Sequence, residues 1–98
     1  MSQVTTHVLD TAAGRPAAGI LVRLLADGEL LASGETDADG RVSDLGPEAL
    51  APGDYRLEFD VATPYFPRIT IDFKVTDASH HHVPVLLSPY GYTTYRGS

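Results

Sequence analysis

Cysteine is absent from the 98 residues, so no disulfide framework supports the fold and thiol chemistry is excluded. Positive charge is scarce: seven Lys and Arg stand against thirteen Asp and Glu, a net charge of −6. Nucleic-acid binders carry a basic footprint, so that class is disfavoured. An anionic substrate would have to be held by local positive charge against the field of the whole molecule. Arg41, Arg96 and the histidines are the obvious sources. No segment approaches the ~20 apolar residues of a membrane span. The opening MSQVTTHVLD has no basic leader and no long apolar run, so no signal peptide is visible and a cytoplasmic location is expected. Helical periodicity never lasts beyond a turn or two, and there is no internal repeat.

What is present reads as short strands between Gly/Pro turns. The length suits one domain, residues 1–98. Val4 to Asp10 is rich in β-branched residues. Ile20 to Ala26 and Glu29 to Thr36 flank Asp27-Gly28, a pair favoured in two-residue hairpin turns. Asp37-Ala38-Asp39-Gly40 makes another turn and delivers Arg41 at a strand start. A calcium loop there lacks the twelve-residue spacing and the closing Glu. Residues 44–53 are loop, with one helical turn at most over Pro47 to Leu50. Asp54 to Val61 alternates, with Tyr55, Leu57, Phe59 and Val61 on one face. Arg68 to Val75 alternates too, with Ile69, Ile71, Phe73 and Val75 inward. The count is seven or eight strands at sandwich spacing. A chain this short buries only about two-thirds of its unfolded surface, so oligomerisation is expected to add stability.

The last nineteen residues, HHHVPVLLSPYGYTTYRGS, concentrate the reactive groups. His81, Val83, Val85 and Leu87 fall on one face of the strand; His82, Pro84, Leu86 and Ser88 fall on the other. Both faces are largely apolar, which a sheet with one solvated side cannot satisfy, so the second face is expected to meet another subunit. His80 and His82 share that second face. As an i, i+2 imidazole pair they could chelate a metal, but only Asp77 offers itself as a third ligand. They could equally be a polar lead-in to the strand. The third reading is acid–base catalysis by His82 in a partly desolvated interface, where its pKa can be tuned. Taken singly, His7 reads as an ordinary strand residue, Arg41 as a solvated charge and Gly97-Ser98 as a terminal remnant.

Together these residues fit one pattern. Thr6-His7-Val8-Leu9-Asp10-Thr11, Asp39-Gly40-Arg41, His82-Val83-Pro84 with Leu86-Leu87-Ser88-Pro89, and the terminal Tyr95-Arg96-Gly97-Ser98 resemble the motifs of the transthyretin-related 5-hydroxyisourate hydrolase family. The resemblance implies an all-β, transthyretin-like (prealbumin-like) sandwich of seven to eight strands. It implies a homotetramer, a dimer of dimers, with active sites between the dimers. It implies metal-free, cofactor-free hydrolysis of 5-hydroxyisourate to 2-oxo-4-hydroxy-4-carboxy-5-ureidoimidazoline in urate breakdown. Carried over by position, His7, Arg41, His82 and Ser98 are the catalytic residues, and His7, Arg41, Tyr95, Arg96, Gly97 and Ser98 hold the substrate. Arg41 suits the substrate oxygens as a planar fork of donors. The histidines share the base and acid work, in an order the sequence leaves open.

The chain departs from the family twice. Ala62 to Pro67 is too short for the helix that relatives carry between the fifth and sixth strands, and that helix is expected to be missing. The middle of the histidine run is usually aromatic; here it is His81, expected to face away from the site. Two non-catalytic functions compete, a small-ligand carrier and a structural prealbumin-like module. A carrier channel favours uncharged walls, which the His/Arg set opposes.

Overall fold

The computed structural model describes residues 2–97. Nine strands run in order: β1 (Val4–Asp10), β2 (Arg15–Pro16), β3 (Leu21–Ala26), β4 (Glu29–Glu35), β5 (Arg41–Val42), β6 (Gly53–Asp60), β7 (Ile69–Val75), β8 (His81–Ser88) and β9 (Gly91–Thr94). Two are two-residue pairings, which leaves seven longer strands, in line with the expected count. Among the described residues there is no helix.

The strands form two sheets. One runs β2-β1-β8-β9, with β5 also on β1; the other runs β4-β3-β6-β7. Local chemistry explains the hairpins. Asp27 (φ 52°) and Gly28 (φ 77°) both take the positive angles of a type I′ turn, which matches the strand twist of β3 and β4. The alternation in β6 does what it promised: Tyr55, Leu57 and Phe59 are buried, and Val61 beyond its end. In β7 only Ile69 and Val75 are fully buried; Ile71 and Phe73 are half-covered and pack on the core margin. The core between the sheets is completed by Val4 and Val8 of β1, Val22 and Leu24 of β3, Val42 of β5, Leu45 in the loop after it, and Val83, Val85 and Leu87 of β8.

One pairing is long-range. β1 and β8 lie parallel over seven residue pairs, from Val4 with His81 to Asp10 with Leu87. Parallel neighbours need a long connection, and here it is the whole of β2 to β7. This pairing brings the N-terminal histidine strand beside the C-terminal one.

The 62–67 segment is a compact turn. The Thr63 amide donates to the Phe66 carbonyl at 2.9 Å and the Phe66 amide donates to Thr63 Oγ1 at 2.7 Å. Phe66 meets Tyr92 edge-on, ring centroids 5.4 Å apart, which closes that end of the sandwich.

Candidate active site

Strand alternation decides which side chains meet. On β1, Val4 and Val8 of the core share one face with Thr6, so Thr5 and His7 share the opposite face. His7 pairs directly with Arg41 of β5, and Thr5 pairs directly with His82 of β8. Side chains of directly paired residues lie on the same face of a sheet. Thr5, His7, Arg41 and His82 therefore stand together on one outer surface, drawn from three strands.

The turn before Arg41 is held from both sides. Asp37 Oδ1 accepts the amides of Asp39 and Arg41 at 2.9 and 3.0 Å, so this carboxylate caps its own turn. Gly40 sits at φ +75°, and a Cβ there would fall 2.3 Å from the Val8 carbonyl oxygen. Only glycine lets β5 approach β1 this closely, and that approach sets Arg41 against His7. His7 Nε2 lies 2.8 Å from the Asp39 carbonyl oxygen. A carbonyl only accepts, so Nε2 carries the proton and donates, and Nδ1 is the nitrogen left for other partners.

His82 is half-buried. Its Nδ1 lies 2.8 Å from Thr5 Oγ1. Burial pushes its pKa below the ordinary histidine value, and the charges of Arg41, then His7, then His80 push the same way. The imidazole is thus held neutral near pH 7, the form a general base requires. Gly97 lies against the ring. Its amide donates to the His82 carbonyl at 2.8 Å, and a Cβ at 97 would come within 2.7 Å of His82 Cδ2. That carbon adjoins Nε2, so the last described residue forms a wall beside the reactive edge of the ring.

A cleft of about 280 Å³ opens here, lined by Thr5, Arg41, His80 and His82 among others. A larger cleft of about 430 Å³ lies at the hairpin end of the second sheet beside Arg56 and Asp72, and no histidine lines it. The smaller one is lined by His80 and His82; His7 is not among its lining residues.

The remaining expected residues divide. The register that pairs Val85 with Thr94 also bridges His82 with Gly97; between them Tyr95 is exposed and lines a different cleft, with His81 and Val83. Arg96 lines that same cleft. Its Nη2 donates to Ser79 Oγ at 2.9 Å and to the His80 carbonyl at 3.3 Å, so it pins the segment leading into β8. Ser98 lies outside the described residues. His81 turns inward as expected: it is 5% exposed, its ring centroid is 6.2 Å from that of Phe73, and its Nε2 has no hydrogen-bond partner. Sequence reasoning missed Thr5. Only the parallel register of β1 and β8 reveals it, because a threonine in a β-branched strand looks like any other.

A two-sheet prealbumin-like sandwich, with an imidazole–guanidinium cluster on the outer face of one sheet, is the class this architecture defines. Comparisons with known proteins agree. The profile of the HIUase/Transthyretin family matches residues 4–97. A 5-hydroxyisourate hydrolase of Caulobacter vibrioides is 48% identical, with all of both chains covered. That of Salmonella dublin is 42% identical over 97% of this chain and 80% of its own. The structure of Klebsiella pneumoniae 5-hydroxyisourate hydrolase superposes with a TM-score of 0.90 at 38% identity, covering 97% of this chain and 98% of the other. Sea bream transthyretin in complex with thyroxine superposes at 0.86 with 29% identity, covering 97% and 94%. The chain belongs to the HIUase/Transthyretin family. The Caulobacter alignment spans 115 positions against the 98 residues here, so that relative carries inserted residues this chain lacks.

Proposed function

We propose that this chain is a 5-hydroxyisourate hydrolase, and that His7, Arg41 and His82 carry the reaction. The observation behind this reading is the meeting of those three groups on one sheet face beside Gly97. Relatives bearing the hydrolase name at 40–48% identity support it.

Ring-amide hydrolysis needs an activated water, charge stabilisation at the carbonyl oxygen and a proton for the leaving nitrogen. His82, held neutral, takes a proton from water through Nε2. The resulting hydroxide attacks the carbonyl carbon. Arg41 donates to the oxygen that gains negative charge, its planar fork suited to a planar, oxygen-rich substrate. The C–N bond breaks as the nitrogen takes from His82 Nε2 the proton drawn from water, while His7, its Nε2–H committed to the Asp39 carbonyl, accepts from the substrate or the water through Nδ1. The carbon ends as a carboxylate and the nitrogen as part of a ureido group, which is 2-oxo-4-hydroxy-4-carboxy-5-ureidoimidazoline. This route needs no metal or organic cofactor. Gly97 shapes the pocket beside the His82 ring, and Ser98 supplies its hydroxyl to substrate or water.

The working form we propose is a homotetramer, a dimer of dimers. The outer face of β8 supports this, because Leu86 is only half-covered in a single copy and stands on the face of the polar cluster. A second copy across that face would close the open cleft. The test is an ultraviolet assay on freshly generated 5-hydroxyisourate. Ring opening far above the spontaneous rate is expected, with a large loss when Gly97 and Ser98 are deleted. A purified, folded chain that leaves the substrate to decay at its spontaneous rate overturns the reading.

A further inference from the structure

The Thr5 hydroxyl sits between two imidazoles. Its Oγ1 is 2.8 Å from His82 Nδ1 and 2.8 Å from His80 Nε2. Thr5 is 8% exposed, His82 half-buried and His80 exposed. All three line the cleft, and they form a line from half-buried His82, through a buried hydroxyl, to His80, which is in contact with water. Arg96 holds the backbone of His80 at the outer end.

A hydroxyl has one proton and can donate to only one of two neighbours, so it must accept from the other. The tautomers of the two rings are therefore tied together. When Thr5 donates to His80 Nε2, it accepts from His82 Nδ1–H, and His82 Nε2 bears a lone pair. When Thr5 donates to His82 Nδ1, His82 Nε2 carries the proton instead, and His80 Nε2–H donates to Thr5. The first arrangement makes His82 a base at the cleft. The second makes it a donor.

We propose that His80, Thr5 and His82 form a proton relay that returns His82 to its base form and lets the cleft exchange protons with solvent. The proposal rests on the hydrolase reading, in which His82 is the base. A proton taken from water at His82 Nε2 is matched by release of the Nδ1 proton to Thr5 Oγ1. Thr5 passes its own proton to His80 Nε2, and His80 gives up its Nδ1 proton to water. One proton enters at the cleft and one leaves at the surface, with no net charge left on the chain. Reversal of the same shifts resets the line. Such a path matters when substrate covers Nε2 and blocks direct exchange. Thr5 and His80 are then positioning residues acting through His82. The charged and titratable groups facing His82 are His7 from β1, Arg41 from β5 and His80 from the segment before β8.

The test uses the full chain and the variants T5V, T5S, H80Q and T5V/H80Q. T5V keeps the shape of threonine and removes the hydroxyl; T5S restores it. Expected for T5V and H80Q is a fall in kcat of about 10- to 100-fold, at the lower end of acid–base contributions. KM should change less than about two-fold, and T5S should recover at least about half the wild-type kcat. The double variant should be no slower than T5V alone, because one line cannot be cut twice. Ring-nitrogen NMR provides a readout independent of catalysis. H80Q should shift the tautomer balance of His82 in the wild-type background and leave it unchanged in T5V. Wild-type kcat and pH profile in both single variants, losses that multiply in the double variant, or a His82 tautomer indifferent to H80Q would each overturn the relay. If T5V fails to fold, H80Q and T5S decide it, since His80 is exposed and T5S keeps the hydroxyl. A wild-type chain that opens no substrate would defeat the hydrolase reading, and the NMR coupling would still decide the relay.

Discussion

At the scale of single residues, the proposed reaction depends on the state of His82. Burial and three nearby cationic or titratable groups keep it neutral. A histidine with a depressed folded pKa disfavours its charged form, so its contribution to stability is lost as pH falls below the ordinary value of roughly 6.5. The same shift sets the activity profile. kcat/KM should hold steady from neutral pH down past about 6.5 and fall only below it, as the base at last takes a proton. His82→Ala and Arg41→Ala should each lower kcat/KM at least tens-fold, against the roughly 10²–10⁴ that acid–base groups contribute. Normal turnover in the His82 variant would remove it from the mechanism. Gly97 tests the geometry without replacing a reactive side chain. Gly97→Ala places a methyl 2.7 Å from His82 Cδ2, so the ring or the tail must shift. A fall in kcat of about ten-fold or more is expected with little change in melting temperature, since misplacement by about 1 Å is costly in catalysis. Equal kcat in the alanine variant would mean that the tail contact does not set the ring.

At the scale of elements, the second sheet carries its own charge network. Arg23 of β3 donates to Glu58 at 2.9 Å and to both oxygens of Asp60 on β6, at 2.9 and 2.7 Å. Arg68 adds a contact to Asp60 at 3.1 Å. The hydrogen bonds from Arg23, with Arg68 assisting, hold the Asp60 carboxyl at about 2. A carboxylate with a depressed folded pKa stabilises the fold above its unfolded value, and that stability disappears as pH falls through the folded one. The wild-type chain should therefore lose stability between about pH 4 and about pH 2, and Asp60→Asn should flatten that slope in denaturant titrations. The exposed part of the network is screened by solvent, so the effect at neutral pH is modest. An unchanged acid slope in the Asn variant would show that the pairing carries no stability. This network lies on the sheet that does not carry the proposed site, so turnover at neutral pH should be unaffected wherever Asp60→Asn remains folded.

At the scale of the whole molecule, the site is a surface that wants a cover. His7, Arg41 and His82 stand on an outer sheet face with Pro84 and Leu86 beside them, and in a single copy the cleft is open. The chain should sediment at the mass of four copies. Leu86→Lys should break the assembly into smaller species that keep their strand signature and lose most activity. A fully active Leu86→Lys monomer would show that one copy completes the site alone. The small interior sharpens this expectation, because a short chain without disulfides buries a limited apolar area.

Much of this was legible in the residues. The alternation of Tyr55, Leu57 and Phe59 predicted a half-buried strand because side chains alternate faces along β structure. Asp27-Gly28 predicted its hairpin because few residues tolerate positive φ. The split of His81 from His82 followed from the same two-residue period. The family motifs pointed to His7, Arg41 and His82. Local chemistry could not supply the parallel pairing of β1 with β8, because a strand does not encode which distant strand it meets. That pairing placed Thr5 between two histidines, and the tertiary structure set Arg96 against Ser79 and the His80 carbonyl. The sequence by itself determined the strands, the turns and the reactive side chains, because those depend on near neighbours along the chain. Only the tertiary structure decided which of them share a face and at what distance, because that is settled by packing two sheets around one core.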